Sequence, residues 1–186
     1  MFVVKNESQV YRTELMADYI HSVKAKLGSY DGYYGASAWE SMESQDEIMI
    51  LVEFRQDKCG DKILEEFSQD RLAIDELGLS RSPADVTVFD LESFAGTRPA
   101  DAQCGTLLSL SRRVSSPGLG EELERELDGI FGSLTLIPGY LGHVYGSHVA
   151  VSDQVLGMVL WETEESFRRS LPKNAPYRLH LYRKVL

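Results

Sequence analysis

Cysteine is scarce in this chain. Its 186 residues hold two, Cys59 and Cys104, at a spacing that fits neither a CxxC pair nor a zinc-ligand pattern. Two scattered thiols suit a reducing compartment, so the expected location is cytoplasmic. Positive charge is also short: 19 Lys and Arg stand against 29 Asp and Glu, a formal net charge of −10. Such a surface repels a phosphate backbone, and nucleic acid is not an expected partner. No apolar run approaches the about 20 residues of a membrane-crossing helix. Met1-Phe2-Val3-Val4-Lys5-Asn6 lacks the basic region and apolar stretch of a secretion signal. No membrane association is expected. A phosphate-binding glycine loop, a GxGxxG turn and a placeable Ser-His-Asp set are all missing. Flavin and nicotinamide therefore have no support, and no cofactor is expected.

What the chain does have is an internal echo. Gly32-Tyr33-Tyr34-Gly35 falls on Gly139-Tyr140-Leu141-Gly142 at an offset of 107 positions (139 minus 32). At the same offset Met16, Ile20, Val23 and Leu27 fall on Leu123, Leu127, Ile130 and Leu134. Ile48, Ile50, Val52 and Phe54 fall on Val155, Gly157, Val159 and Trp161. A fixed offset through a helix, a turn and two strands predicts one small unit, duplicated and fused. The expected units are residues 1–95 and 104–186, joined by a linker over 96–103 with Gly96, Pro99 and several small residues. Their surfaces have diverged. Residues 1–97 carry 9 basic and 19 acidic side chains, whereas 98–186 carry 10 of each.

Each half reads as β-α-β-β-α-β. In the first, Phe2-Val3-Val4 is a strand, followed by an amphipathic helix from about Thr13 to Leu27, whose apolar residues recur every three or four positions. Gly28 ends it. Strands follow at Tyr34–Trp39 and Ile48–Phe54, the latter apolar at nearly every position and so covered on both faces. A second helix is expected within Asp61–Leu77 and a strand over Val86–Leu91. In the second half, strands are expected at Thr106–Val114, Tyr140–Gly146, Val155–Trp161 and Tyr177–Val185, with helices at Glu121–Leu134 and Glu164–Leu171. Ser116 and Pro117 suggest a helix start. The fold class is therefore α+β: two ferredoxin-like units. Each sheet leaves a face bare of helices. Packing the two bare faces together as a pseudo-dimeric α/β barrel would make each unit the lid of the other. A monomer, or a weak homodimer, is expected.

Ile137-Pro138-Gly139-Tyr140-Leu141-Gly142 and Val159-Leu160-Trp161-Glu162-Thr163-Glu164-Glu165-Ser166-Phe167 bring in a resemblance. The chain resembles the antibiotic biosynthesis monooxygenase-like family of the dimeric α/β-barrel superfamily. Members show a Pro-Gly-aromatic-x-Gly turn, then a strand ending in Trp with an acidic residue and a helix opening with Phe. The second half matches both parts; the first keeps Gly32-Tyr33-Tyr34-Gly35 but has Phe54 in place of the Trp. The family includes cofactor-free oxygenases and haem-degrading enzymes. In haem-degrading members an Asn near the end of the first strand, matched by Asn6, points into the pocket. Those enzymes also need a Trp in the same unit and an iron-ligating His about ten residues beyond it. The first half has neither, and the position ten after Trp161 is Leu171. Haem binding is not expected.

The resemblance makes Trp161 a pocket residue, able to stack on a flat ligand or to close the sheet's end as core. His143 is a candidate general base toward a phenol, or a structural strand histidine. Tyr140 and Tyr145 supply hydroxyls, or packing. His143 and His148 are five apart on a strand and face opposite sides, so they do not form a metal site; no metal is expected. His21 and His180 carry no clear role. Arg168, Arg169, Lys173, Arg178, Arg183 and Lys184 form a basic concentration, suited to an anion or to plain solvation. Glu40, Glu43, Asp46 and Glu47 lack the spacing of a calcium loop.

Two functions follow. One is a cofactor-independent monooxygenase-like protein acting on a small phenol or hydroquinone, with His143, Trp161 and Tyr145 in catalytic roles and Asn6, Tyr140 and Trp161 binding the ligand. Such an enzyme needs a dry pocket, a deprotonating group and little else. The other is a small-ligand-binding or interaction module that keeps the fold without an active site. An open pocket beside Trp161 and His143 would favour the enzyme; a filled interior would favour the module.

Overall fold

A computed structural model describes residues 2–8, 16–30, 32–44, 47–55, 85–172 and 178–186. The helix expected within Asp61–Leu77 lies outside them, as do Cys59, Lys173 and Tyr177. Eight strands are described: β1 (Phe2–Ser8), β2 (Tyr33–Ser41), β3 (Glu47–Phe54), β4 (Asp85–Gly96), β5 (Leu107–Val114), β6 (Tyr140–His148), β7 (Val151–Trp161) and β8 (His180–Lys184). The described helices are α1 (Met16–Leu27), α2 (Gly120–Leu134) and α3 (Glu164–Ser170). No helix among the described residues is long and apolar enough to cross a membrane.

The strands form one curled, antiparallel, closed sheet in the order β1-β3-β2-β8-β5-β7-β6-β4. Read from β4, the order is 4-1-3-2 and then 8-5-7-6. Each strand of the second run is the fourth after its counterpart in the first. The seams are β2 with β8, paired from Trp39↔Lys184 to Ser41↔Tyr182, and β4 with β6, paired from Phe89↔His148 to Gly96↔Gly142.

Strand alternation sorts the side chains. Trp39, Met49, Leu51, Phe89, Leu108, Leu110, Val144, Leu156, Met158, Leu160 and Tyr182 fill the barrel. The next residues along face outward. On the second half these are Leu107, Tyr145, Val155, Val159, Trp161 and Leu181, which meet Leu127 and Phe131 of α2. The helix stripe read from the sequence thus lies on the sheet: Leu127 is fully buried, as are Ile20 and Leu27 of α1. From Ile48 on, every residue of β3 is buried, as its unbroken apolar run requires.

Several boundaries differ from the sequence reading. Strand β4 continues to Gly96, five residues beyond the expected end, because Ser93 to Gly96 pair with Tyr145 to Gly142. A bulge between Leu91 and Ser93 breaks the alternation that would have revealed it. Helix α2 begins at Gly120, one residue before the expected Glu121, and the Ser116–Pro117 start signal is not used. Gly118 has φ 82°, outside the helical region, and its N–H donates to Asp153 Oδ1 at 3.2 Å. Strand β7 begins at Val151 rather than Val155. His148 Nδ1 accepts the N–H groups of Ala150 and Val151 at 2.9 and 3.1 Å and so caps the β6–β7 turn.

The segment between β4 and β5 closes one end of the barrel. Ala102 is buried in the interior core. The Lys184 ammonium, inside the barrel, donates to the carbonyls of Pro99, Ala100 and Ala102 at 3.1, 2.9 and 2.7 Å. Burial lowers the Lys184 pKa from its ordinary value. From the other half, Glu53 Oε1 accepts the Ala100 N–H at 2.6 Å. Its second oxygen lies 3.5 Å from Arg98.

Candidate functional site

The turn Ile137–Tyr140 delivers the candidate site. Gly139 has φ 83°, and a Cβ there would stand 2.1 Å from Ser166 Oγ, so only glycine fits between turn and α3. Tyr140 opens β6, and alternation then sends His143, Tyr145 and Ser147 outward beneath α2. Trp161 ends β7 opposite Tyr140. Thr163 caps α3, its Oγ1 accepting the Ser166 N–H at 3.1 Å.

These residues meet. The Tyr140 and Trp161 rings lie edge to face, centroids 6.2 Å apart. Tyr140 Oη is 2.7 Å from His143 Nδ1. Phe131 of α2 stacks on His143 at 4.8 Å and on Tyr145 at 5.4 Å. Tyr145 donates to Asp128 Oδ1 at 2.8 Å, and Ser147 to Glu124 at 2.5 Å. Trp161 Nε1 donates to Ser109 Oγ at 2.9 Å. The cluster is largely buried, and its pKa values follow. Burial lowers that of His143, with Asp128 opposing more weakly. Burial raises that of Tyr140. Burial, then the hydrogen bond to Asp128, pushes Tyr145 up to about 12. At neutral pH the site holds a neutral imidazole between two neutral phenols.

Room for a ligand is another matter. Trp161 is 1% exposed and His143 7%. The space between α2, α3 and the sheet is a cavity of about 40 Å³ beside Ser109, Phe131, Gly157 and Trp161. Pockets that hold organic ligands run to about 300–1,000 Å³.

The structure therefore brings His143, Tyr140, Tyr145 and Trp161 into one cluster. Asn6 is elsewhere, on β1 between β3 and β4, paired with Met49 and Asp85. His148 lies on the opposite face of β6 from His143, edge to face with Phe89. The basic residues disperse. Arg168 and Arg169 pair with Glu164 and Glu165 on α3, Arg178 with Glu43, and Lys184 lies inside the barrel. Among the described residues no group of His, Cys, Asp or Glu could hold a metal ion. Sequence reasoning missed Asp128 and Phe131. Their spacing from Leu127 and Leu134 puts them on or beside the buried face of α2, which was the available signal. It also missed Glu53, although the 107-residue offset sets that carboxylate on Leu160, an interior residue.

No protein-family model and no curated protein matches the sequence. Solved structures do. A monooxygenase candidate of Fusobacterium nucleatum is 9% identical, with a TM-score of 0.71 over 100% of this chain and 92% of that one. An anthrone oxidase-like protein is 13% identical, with a TM-score of 0.66 over 100% and 91%. A ferredoxin-fold protein of Listeria monocytogenes, related to antibiotic biosynthesis monooxygenases, is 7% identical, with a TM-score of 0.54 over 100% and 96%. The fold is thus the ferredoxin-like fold of monooxygenase-related proteins. At these identities the likeness concerns the fold and leaves the reaction open.

Proposed function

We propose that this protein is a small-ligand-binding module built on the monooxygenase fold, with the oxidation site of its second half packed shut. One observation carries the reading: the space beside Trp161 is about 40 Å³. Phe131 occupies the position over His143 and Tyr145 where a flat substrate would stack. A second reading, a cofactor-independent oxygenase of phenols or hydroquinones, draws on the Tyr140–His143 contact at 2.7 Å and the lowered His143 pKa. In that reading His143 is the base, Tyr140 and Trp161 hold the ring, Tyr145 orients it, and α2 must lift to admit it. Asn6, the further ligand-binding candidate of that reading, stands on β1, apart from the cluster along the sheet. The test is oxygen uptake with anthrone and with a hydroquinone, for the native protein and His143→Ala. The module reading expects the uncatalysed rate in both. Turnover by the native protein that falls at least about tenfold in His143→Ala establishes the oxygenase.

We also infer that the chain is a duplicated unit whose two copies close on each other. Three observations support this. The strand order repeats as 4-1-3-2 and 8-5-7-6. Bulges occur at Tyr33/Gly35 and at Tyr140/Gly142, equivalent positions at the 107 offset. Tyr33 meets Phe54 edge to face at 5.9 Å, as Tyr140 meets Trp161.

A further inference from the structure

A larger space lies away from the aromatic cluster. Where the ends of β3, β5 and β8 converge under the first turns of α2, a groove of about 540 Å³ opens. That is within the range of organic-ligand pockets. Its apolar wall is Leu110, Val114 and Leu123; its cations are Arg112, Arg113 and Arg178, beside His180.

We propose that this groove binds a small organic monoanion, a carboxylate on a flat apolar body. The proposal names the place and ligand class of the binding reading given above and rests on it. Three guanidiniums in one groove are a local departure for a chain of net charge −10. A guanidinium presents paired N–H donors that match a carboxylate. The groove's acidic groups are engaged. Glu47 accepts from the Tyr182 hydroxyl at 2.6 Å. Glu126 lies 3.4 Å from Arg113, and Glu43 2.9 Å from Arg178. Glu126 is 63% exposed and Glu43 40%, so both can swing into water. The Arg178–Glu43 pair is exposed on both sides and contributes little stability, so a ligand carboxylate can replace Glu43 at small cost, whereas Arg113, 10% exposed, adds its charge from the wall. With acids and bases nearly balanced here, a monoanion is favoured over a phosphate dianion. Leu110, Val114 and Leu123 then receive the apolar body.

Benzoate is the probe, with benzamide as its uncharged isostere and inorganic phosphate as the apolar-free anion, each titrated calorimetrically into the full chain. Benzoate is expected to bind at least about tenfold more tightly than either. Arg178→Gln, at a side chain 74% exposed and so safe for folding, is expected to weaken benzoate about tenfold. Arg168→Gln on α3 should leave it unchanged. Benzamide binding as well as benzoate, phosphate binding better, no benzoate heat, or an Arg178→Gln affinity equal to native would each overturn the proposal. The His143 oxidation assay reads the aromatic cluster alone, so the two readings fail separately.

Discussion

Glu53 is a carboxylate inside a barrel. It is fully buried, and burial pushes its pKa from 4.5 to about 7, outweighing the Ala100 amide and the Arg98 guanidinium. The other charged groups facing it are Asp101, across the closing segment, and Lys184. The folded protein therefore holds a proton that the unfolded chain releases above about 4.5. Stability is full below that pH, falls as pH rises toward 7 and levels off above it, a loss of about 3 kcal/mol. Melting temperatures at pH 5 and pH 8 should show this fall in the native protein and a flatter profile in Glu53→Gln. A native protein more stable at pH 8, with the variant parallel to it, would contradict the assignment. His143 shows the same balance with the opposite sign of shift. Its ring is buried against Phe131, and burial outweighs the Asp128 charge.

Among elements, α3 depends on its neighbours. Seven residues do not hold a helix in water. Thr163 caps it, Glu164–Arg168 and Glu165–Arg169 pair along it, and the Ile137–Tyr140 turn presses on Ser166. Thr163→Ala should cost about 1 kcal/mol in urea denaturation. Gly139→Ala should cost more, since it combines a left-handed φ with a collision against Ser166. Equal or smaller loss in Gly139→Ala would show that the turn and α3 are not locked together. Elements are also where the sequence was most and least readable. The stripe on α2 and the apolar run of β3 were plain, because burial on one or both faces leaves a periodic trace. The last residues of β4 were not: Ser93 and Ala95 are small, and their strand character comes from pairing with β6, a long-range partner no local pattern encodes. The cluster around His143 was half readable. Alternation gives the outward set Tyr145 and His143, but Phe131 filling the space above them is a matter of helix placement.

At the scale of the molecule, closure leaves the described strands without a free edge to recruit a second copy. The protein should be a monomer, and light scattering at micromolar concentration should return a mass near the chain's 20.9 kDa. A stable dimer or tetramer would argue that another surface associates. The offset of 107 was legible because it is constant through α1, the Gly32 turn and β3. The closure of the sheet was legible only as a requirement that bare faces be covered. The seams themselves, Trp39 with Lys184 and Phe94 with Val144, follow from no motif.

Those seams are unequal. One zips over seven registered pairs from Phe89 to Gly96; the other has three, from Trp39 to Ser41, continued by backbone hydrogen bonds of Ala38 with Val185 and Leu186 and of Met42 with Leu181. The longer seam acts as a spine and the shorter as a clasp. Thermal breathing should part the clasp first, swinging the halves like book covers about β4 and β6. The clasp includes Tyr182, which also lines the arginine groove. A molecule lodged there would brace the weaker fastening, so occupancy and the tightness of the whole shell would rise and fall together.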